Sequence, residues 1–218
     1  IIVSLVGSEM CIRDRIKIMA YSRFTLSKVV ENFQLTIIEG DRFLPDVPPI
    51  SPSALLTDTL KETVPWAIAV SSEKARSEGI INPVLLEVRR RLRGKISVFS
   101  GEEFTVQPEV DLTGDVDFLI SRSPEQLFIK IPAVVLVATK TQDLKQALGE
   151  CVAEMVAAQR FNEQKRLSIS TIYGVVTSGT VWRFLKLEQQ VITVDLTNYS
   201  LPPVEQVLSF LVLSLIHI

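Results

Sequence analysis

Histidine and cysteine are nearly absent: 218 residues contain one histidine, His217, and two cysteines, Cys11 and Cys151. That scarcity leaves little for a disulfide framework, a His/Cys zinc site or a histidine-dependent triad. No apolar run approaches the roughly 18 residues a membrane span needs, so no integral membrane protein is expected. An excess of one charge is also missing. Lys+Arg total 23 and Asp+Glu 25, a net −2, so any contact with phosphate has to come from local clustering. The motifs GxGxxG, GxxxxGK[ST] and GxSxG do not occur, which removes the main support for dinucleotide, P-loop and nucleophile-elbow chemistry. What is present is the balance of a soluble globule, 47% hydrophobic and 22% charged, in a length that suits one α/β or α+β domain.

The two ends read differently from the middle. Residues 3–15 (VSLVGSEMCIRDR) and 213–218 (LSLIHI) resemble peptides translated from sequencing-adapter DNA. The apolar start also makes a poor signal peptide, because its charges follow it and no small-residue cleavage site appears. The expectation is a non-native leader over 1–18, a natural start at Met19 and a non-native tail over 213–218. Without these ends the chain keeps no histidine and one cysteine, and its localisation is expected to be cytoplasmic.

Residues 19–65 read as an N-terminal segment whose stretch 44–54 holds four prolines in eleven positions. That density forbids a helix interior or a central strand and predicts an extended crossing. From residue 66 to 212 the pattern is one compact domain. A helix is expected over 67–78, with Ser71 or Ser72 as a local start signal. Asn82-Pro83 then reads as N-cap and first residue of a helix over 84–92. Short strands follow at 95–100, 103–106 and 116–121. The run 133–140 (AVVLVATK) fits a central strand covered on both faces. Residues 144–161 form the clearest helix, with Leu144, Ala147, Leu148, Cys151, Val152, Met155 and Ala158 at helical spacing. Strands at 170–177, 181–187 and 190–196 follow, the first two joined through Ser178-Gly179, and Pro202-Pro203 opens a last helix to about residue 212. The order predicts an α/β fold with a mixed central sheet flanked by helices.

With histidine gone, carboxylates and lysine remain. They are the toolkit of Mg²⁺-dependent phosphodiester hydrolysis, in which the ion neutralises phosphate charge and lowers the pKa of bound water. A nearby lysine can orient that water or offset phosphate charge. Asp115 and Asp117 alternate on one strand and so face the same side. Lys140 ends the buried strand, and Glu150 lies in the first half of the next helix. The bland readings are solvated strand-edge acids, a strand cap and an exposed helix face.

The pattern Glu73-x-x-Arg76, Ile80-Ile81-Asn82-Pro83-x-Leu85, Asp117-Phe118-Leu119-Ile120, then a valine-rich strand ending in Lys140, resembles the PD-(D/E)XK (restriction-endonuclease-like) nuclease superfamily. The likeness is closest to the small cyanobacterial-type proteins of that group and covers roughly residues 71–187. It implies a restriction-endonuclease-like core. Glu73 would be the first-helix acid, Asp117 the metal-binding aspartate and Lys140 the lysine of the E-x-K element. Mg²⁺ or Mn²⁺ would be the cofactor. Glu150 falls where the next helix usually offers a glutamine; Gln159 lies further along, on the apolar stripe, and wants a partner.

One departure stands out: position 138, where E-x-K needs an acid, is alanine, and a methyl group ligates nothing. Asp115 lies about 6.6 Å along the strand from Asp117, far for sharing an ion, so Glu150 is the better substitute ligand. The run Arg89-Arg90-Arg91-Leu92-Arg93-Gly94-Lys95 admits two readings, cations complementing a helix C-terminus or a DNA-contacting patch of Arg89, Arg90, Arg91, Arg93 and Lys95. Two functions lead, ahead of a third in which the sheet serves only oligomerisation. One is a metal-dependent DNA endonuclease-like protein impaired at Ala138. The other is a non-catalytic nucleic-acid-binding or scaffold module on the same fold. DNA and a second copy of the chain are the partners to test, and no membrane is expected.

Overall fold

The computed structural model describes residues 21–216, apart from 41, 44, 141–143 and 168. In chain order the elements are α1 (Leu26–Phe33), β1 (Thr36–Gly40), α2 (Ala54–Val70), α3 (Glu73–Arg76), a π-helical turn (Ser77–Ile81), α4 (Asn82–Arg91), β2 (Ser97–Glu103), β3 (Asp115–Ser121), β4 (Ala133–Thr139), α5 (Leu144–Gln164), β5 (Ile172–Thr177), β6 (Val181–Glu188), β7 (Val191–Asp195), β8 (Tyr199–Ser200) and α6 (Glu205–Ile216). All the strands join one sheet in the order β1-β7-β6-β5-β4-β3-β2, with β8 paired to β6. β2, β3 and β4 run antiparallel, and β4 pairs in parallel with β5 across α5. β5, β6 and β7 are antiparallel, and β1 lies parallel to β7. The protein is thus a mixed α/β fold with helices on both faces of a mixed sheet. Among the described residues, no helix is long and apolar enough to cross a membrane.

The strand over 133–139 lies at the centre because its side chains are apolar on both faces. Ala133 and Ala138 pack with α1 and α5, whereas Val134, Val135 and Val137 pack with α2, α4 and α6. Asn162, 1% exposed near the end of α5, donates through Nδ2 to the Ala133 carbonyl (2.8 Å) and accepts from its N–H through Oδ1 (3.0 Å). The amide thereby satisfies backbone groups at the start of β4 that the sheet leaves open. Asn162→Ala is expected to cost about 2 kcal/mol, measured as a lower urea midpoint.

Several boundaries differ from the sequence reading. The division expected between residues 65 and 66 falls inside α2. Residues before it also complete the fold, since β1 joins the sheet and Val29, Phe33 and Leu35 pack against α5. Sequence patterning missed this because a five-residue edge strand carries little periodicity. The helix expected over 67–78 is two helices. α2 starts thirteen residues earlier, capped by Ser53 Oγ accepting from Leu56 N (3.2 Å). It ends where Ser71 turns left-handed (φ 59°), and Ser72 Oγ caps α3 through Ala75 N (3.1 Å).

Asn82 is no N-cap. Its backbone is helical (φ −57°, ψ −47°), because the π-helical turn carries the chain from α3 straight into α4. The expected strand 103–106 does not form; β2 runs on to Glu103, and Val106 N–H donates instead to the Leu112 carbonyl. α6 begins at Glu205, not at the prolines, and continues to Ile216 with Leu215 buried in the core. Residues 213–216 of the expected tail thus belong to that helix, while residues 1–18, Cys11 and His217 lie outside the described residues. Trp182 and Phe184 are core residues, and the Trp182 Nε1–H donates to the Gly179 carbonyl.

Candidate functional site

The C-terminal end of β4 brings three separate stretches of chain together. The antiparallel register that pairs Phe118 with Val137 sets Asp117 beside Ala138 one residue further on. Lys140, just past the strand, is fixed by its N–H donating to the Thr177 carbonyl (3.0 Å). α5 then passes back over the same face, and its Glu150 Oε2 meets Lys140 Nζ at 3.1 Å. Burial works against the lysine's charge. The Glu150 carboxylate outweighs that, helped by Glu73 and Asp117 further out, so the amine is held above its ordinary value. Lys140 is therefore a cation at neutral pH, supported by three acids.

Asp117 is held just as firmly. Its Oδ2 accepts from both the N–H (2.7 Å) and the hydroxyl (2.8 Å) of Thr139. Ala138 itself is fully buried. Three of the acids singled out from the sequence, Glu73, Asp117 and Glu150, thus lie within electrostatic reach of Lys140.

The sequence reading missed a fifth residue, Glu154. It lies one turn beyond Glu150 on α5, is 1% exposed, and its buried Oε2 has no hydrogen-bond partner. Burial first, then Glu150 and Asp117, push its carboxyl well above the usual carboxylate range, with Lys140 opposing. The acid is consequently neutral where exposed carboxylates are charged. The signal was available: Glu154 lies three residues after Cys151 and four before Ala158, on the apolar stripe itself.

A folded-state pKa raised above the unfolded one makes the native state keep a proton that the unfolded chain has released. Stability therefore falls as pH rises from the unfolded value, near 4.3, towards the folded value, at most about 1.4 kcal/mol per pH unit. Below the unfolded value the effect vanishes. Glu154→Gln is expected to raise stability at pH 7 and flatten its decline between pH 5 and 7, measured by urea unfolding across that range.

Several other residues lie elsewhere. In the arginine run, Arg90 and Arg91 are engaged by Glu87, a 1%-exposed carboxylate on α4. Arg91 Nε donates to Glu87 Oε1 at 2.8 Å, and Ser53 donates to the same carboxylate through its N–H (3.1 Å) and hydroxyl (2.8 Å). Burial opposes ionisation of Glu87, but these hydrogen bonds overcome it and pull its carboxyl below the ordinary value. Glu87 and Arg91, which also donates to the Ser51 carbonyl, thus fasten the proline-rich crossing to α4, while Arg90 pairs with Glu87 within the helix.

The run also leads into β2, whose Ser97 pairs with Ser121, the partner of Ala133 at the far end of β4. β4 is 7 residues long, so roughly 20 Å separates its ends at ~3.3 Å per residue. The run does not flank the acid–lysine cluster. Gln159 finds its partner in the Gln189 carbonyl (3.1 Å), away from Lys140. Cys151 is a buried core thiol donating to the Val175 carbonyl (3.7 Å), and burial pushes its pKa up.

Among the described residues, no three acidic, histidine or cysteine side chains stand together so as to hold a metal ion. The reason is chemical: Ala138 supplies no donor, Asp117 Oδ2 is engaged by Thr139, and Glu150 is the counter-ion of Lys140. The donors in place therefore fall short of a Mg²⁺ or Mn²⁺ site. No protein-family model matches the chain, and no curated protein matches it either.

Proposed function

We propose that the protein is an endonuclease-like module of PD-(D/E)XK type, directed at DNA phosphodiesters and impaired in cleavage by alanine at position 138. The observation that carries this reading is the Lys140–Glu150 pair at 3.1 Å beside Asp117. A lysine clamped among acids at the end of a central strand is costly to bury and contributes little to stability that an apolar pair would not. Strongly perturbed groups gathered in one place are more often functional than structural. The order helix, three antiparallel strands, helix, parallel strand gives the mixed sheet flanked by helices that the sequence pattern predicts.

Lys140 would hold its positive charge at the scissile phosphate, and Glu73 and Glu150 would keep the amine protonated. The shortage of ligands at position 138 favours the second reading, a non-catalytic nucleic-acid-binding or scaffold module. Nicking of supercoiled DNA in Mg²⁺ or Mn²⁺ separates the two. Ala138→Glu should cleave where the unaltered protein is slow or silent, whereas a folded variant that leaves the DNA intact selects the binding module.

A further inference from the structure

Glu73, Asp117, Glu150 and Glu154 gather at the C-terminal end of β4. The opposite end carries cations from three elements. Arg93 and Lys95 lie between α4 and β2, and both are exposed. Lys130 lies on the β3–β4 connection, where its carbonyl accepts from Ser121 Oγ (2.5 Å). Lys165 and Arg166 close α5 just past Asn162, which is bonded to Ala133. Acids at this end include Glu125, 3.9 Å from Lys130, Glu163, and Glu188, which pairs with Lys186 at 2.8 Å.

In the middle of this basic end the β3–β4 connection presents Leu127, 90% exposed, and Phe128, 58% exposed. The tip is anchored, since Gln126 Nε2 donates to the Val98 carbonyl on β2 (2.9 Å) and Arg122 N–H donates to the Pro132 carbonyl (3.0 Å).

We propose that this basic end, with Leu127 and Phe128 at its centre, is a nucleic-acid-binding surface distinct from the acid–lysine cluster. The cations would contact phosphates, and the apolar tip would stack on or wedge between bases. A chain of net charge −2 can attract a polyanion only where its positive charge is concentrated. Two of the cations are arginines, whose planar fork suits phosphate. An anionic membrane is the weaker fit: a two-residue tip buries little, and stable anchoring needs a larger apolar face.

This inference rests on the reading that DNA is the partner, but it concerns binding alone and stands whether or not the protein cleaves. Binding of fluorescein-labelled single-stranded and duplex oligonucleotides is measured by anisotropy in EDTA at about 50 mM salt. The expected result is saturable binding that weakens as salt rises. Reversing Arg93 and Lys95 to glutamate should weaken it by about tenfold or more, and Leu127→Ser with Phe128→Ser by about fivefold or more. All four positions are exposed, so melting temperatures should stay put. No binding of either oligonucleotide, binding unmoved by both pairs of substitutions, or capture by phosphatidylserine vesicles in its place would overturn the proposal.

Discussion

Replacing Gly149 by alanine is expected to destabilise the protein by about 3 kcal/mol or more. An added Cβ would lie 2.2 Å from the Phe24 carbonyl oxygen, 2.5 Å from the Thr25 carbonyl carbon and 2.7 Å from the Leu26 nitrogen. These are backbone atoms at the start of α1, so no side-chain rotation relieves the clash. Either α1 lifts from α5, exposing Val29 and Phe33, or α5 moves and carries the neighbouring Glu150 away from Lys140. The check is urea unfolding with an unchanged slope and a lower midpoint. A loss under ~1 kcal/mol would mean that the two helices are packed less closely than described.

The second large effect is a gain of activity from Ala138→Glu. Asp117 already lies beside that position, and Lys140 follows two residues later, just past the end of β4. A carboxylate there completes the acid pair that Mg²⁺ takes alongside phosphate oxygens. Restoring a ligand of this kind should raise cleavage by on the order of a hundredfold or more. The cost is paid in stability. Position 138 is fully buried, and Glu150 and Glu154 stand near it. The variant should therefore melt lower without added cation and recover part of the loss with Mg²⁺ or Mn²⁺, because an ion that binds only the native state stabilises it.

The parts of the fold that were readable in advance are those with strong periodicity or a continuous apolar run. α5 and β4 are the clearest; Glu150 lies on the first and Lys140 just past the second. β1 and the early start of α2 were not readable. A short edge strand has little pattern, and α2 contains Pro65, which argues locally against the helix it occupies. Asn82-Pro83 has the composition of a helix start, but the preceding turn supplies helical backbone and the cap has nothing to begin.

In the cluster itself the composition left carboxylates and lysine as the only remaining chemistry, and strand alternation put Asp117 on a definite face. Glu154 was overlooked because a glutamate on a helix defaults to solvent, even where its spacing places it on the apolar stripe. The arginine run has in part a structural use. Its density is partly explained by Glu87, which no local pattern marks as buried.

The most direct test of the acid–lysine cluster is whether cleavage by Ala138→Glu depends on its neighbours. Supercoiled DNA is incubated in Mn²⁺ with Ala138→Glu alone and with Ala138→Glu combined in turn with Asp117→Asn and with Lys140→Met. Convergence of β3, β4 and α5 on one working cluster predicts that nicking arises in the single variant and is lost in both combinations, with each protein still folded. Nicking that survives removal of either Asp117 or Lys140 would contradict it.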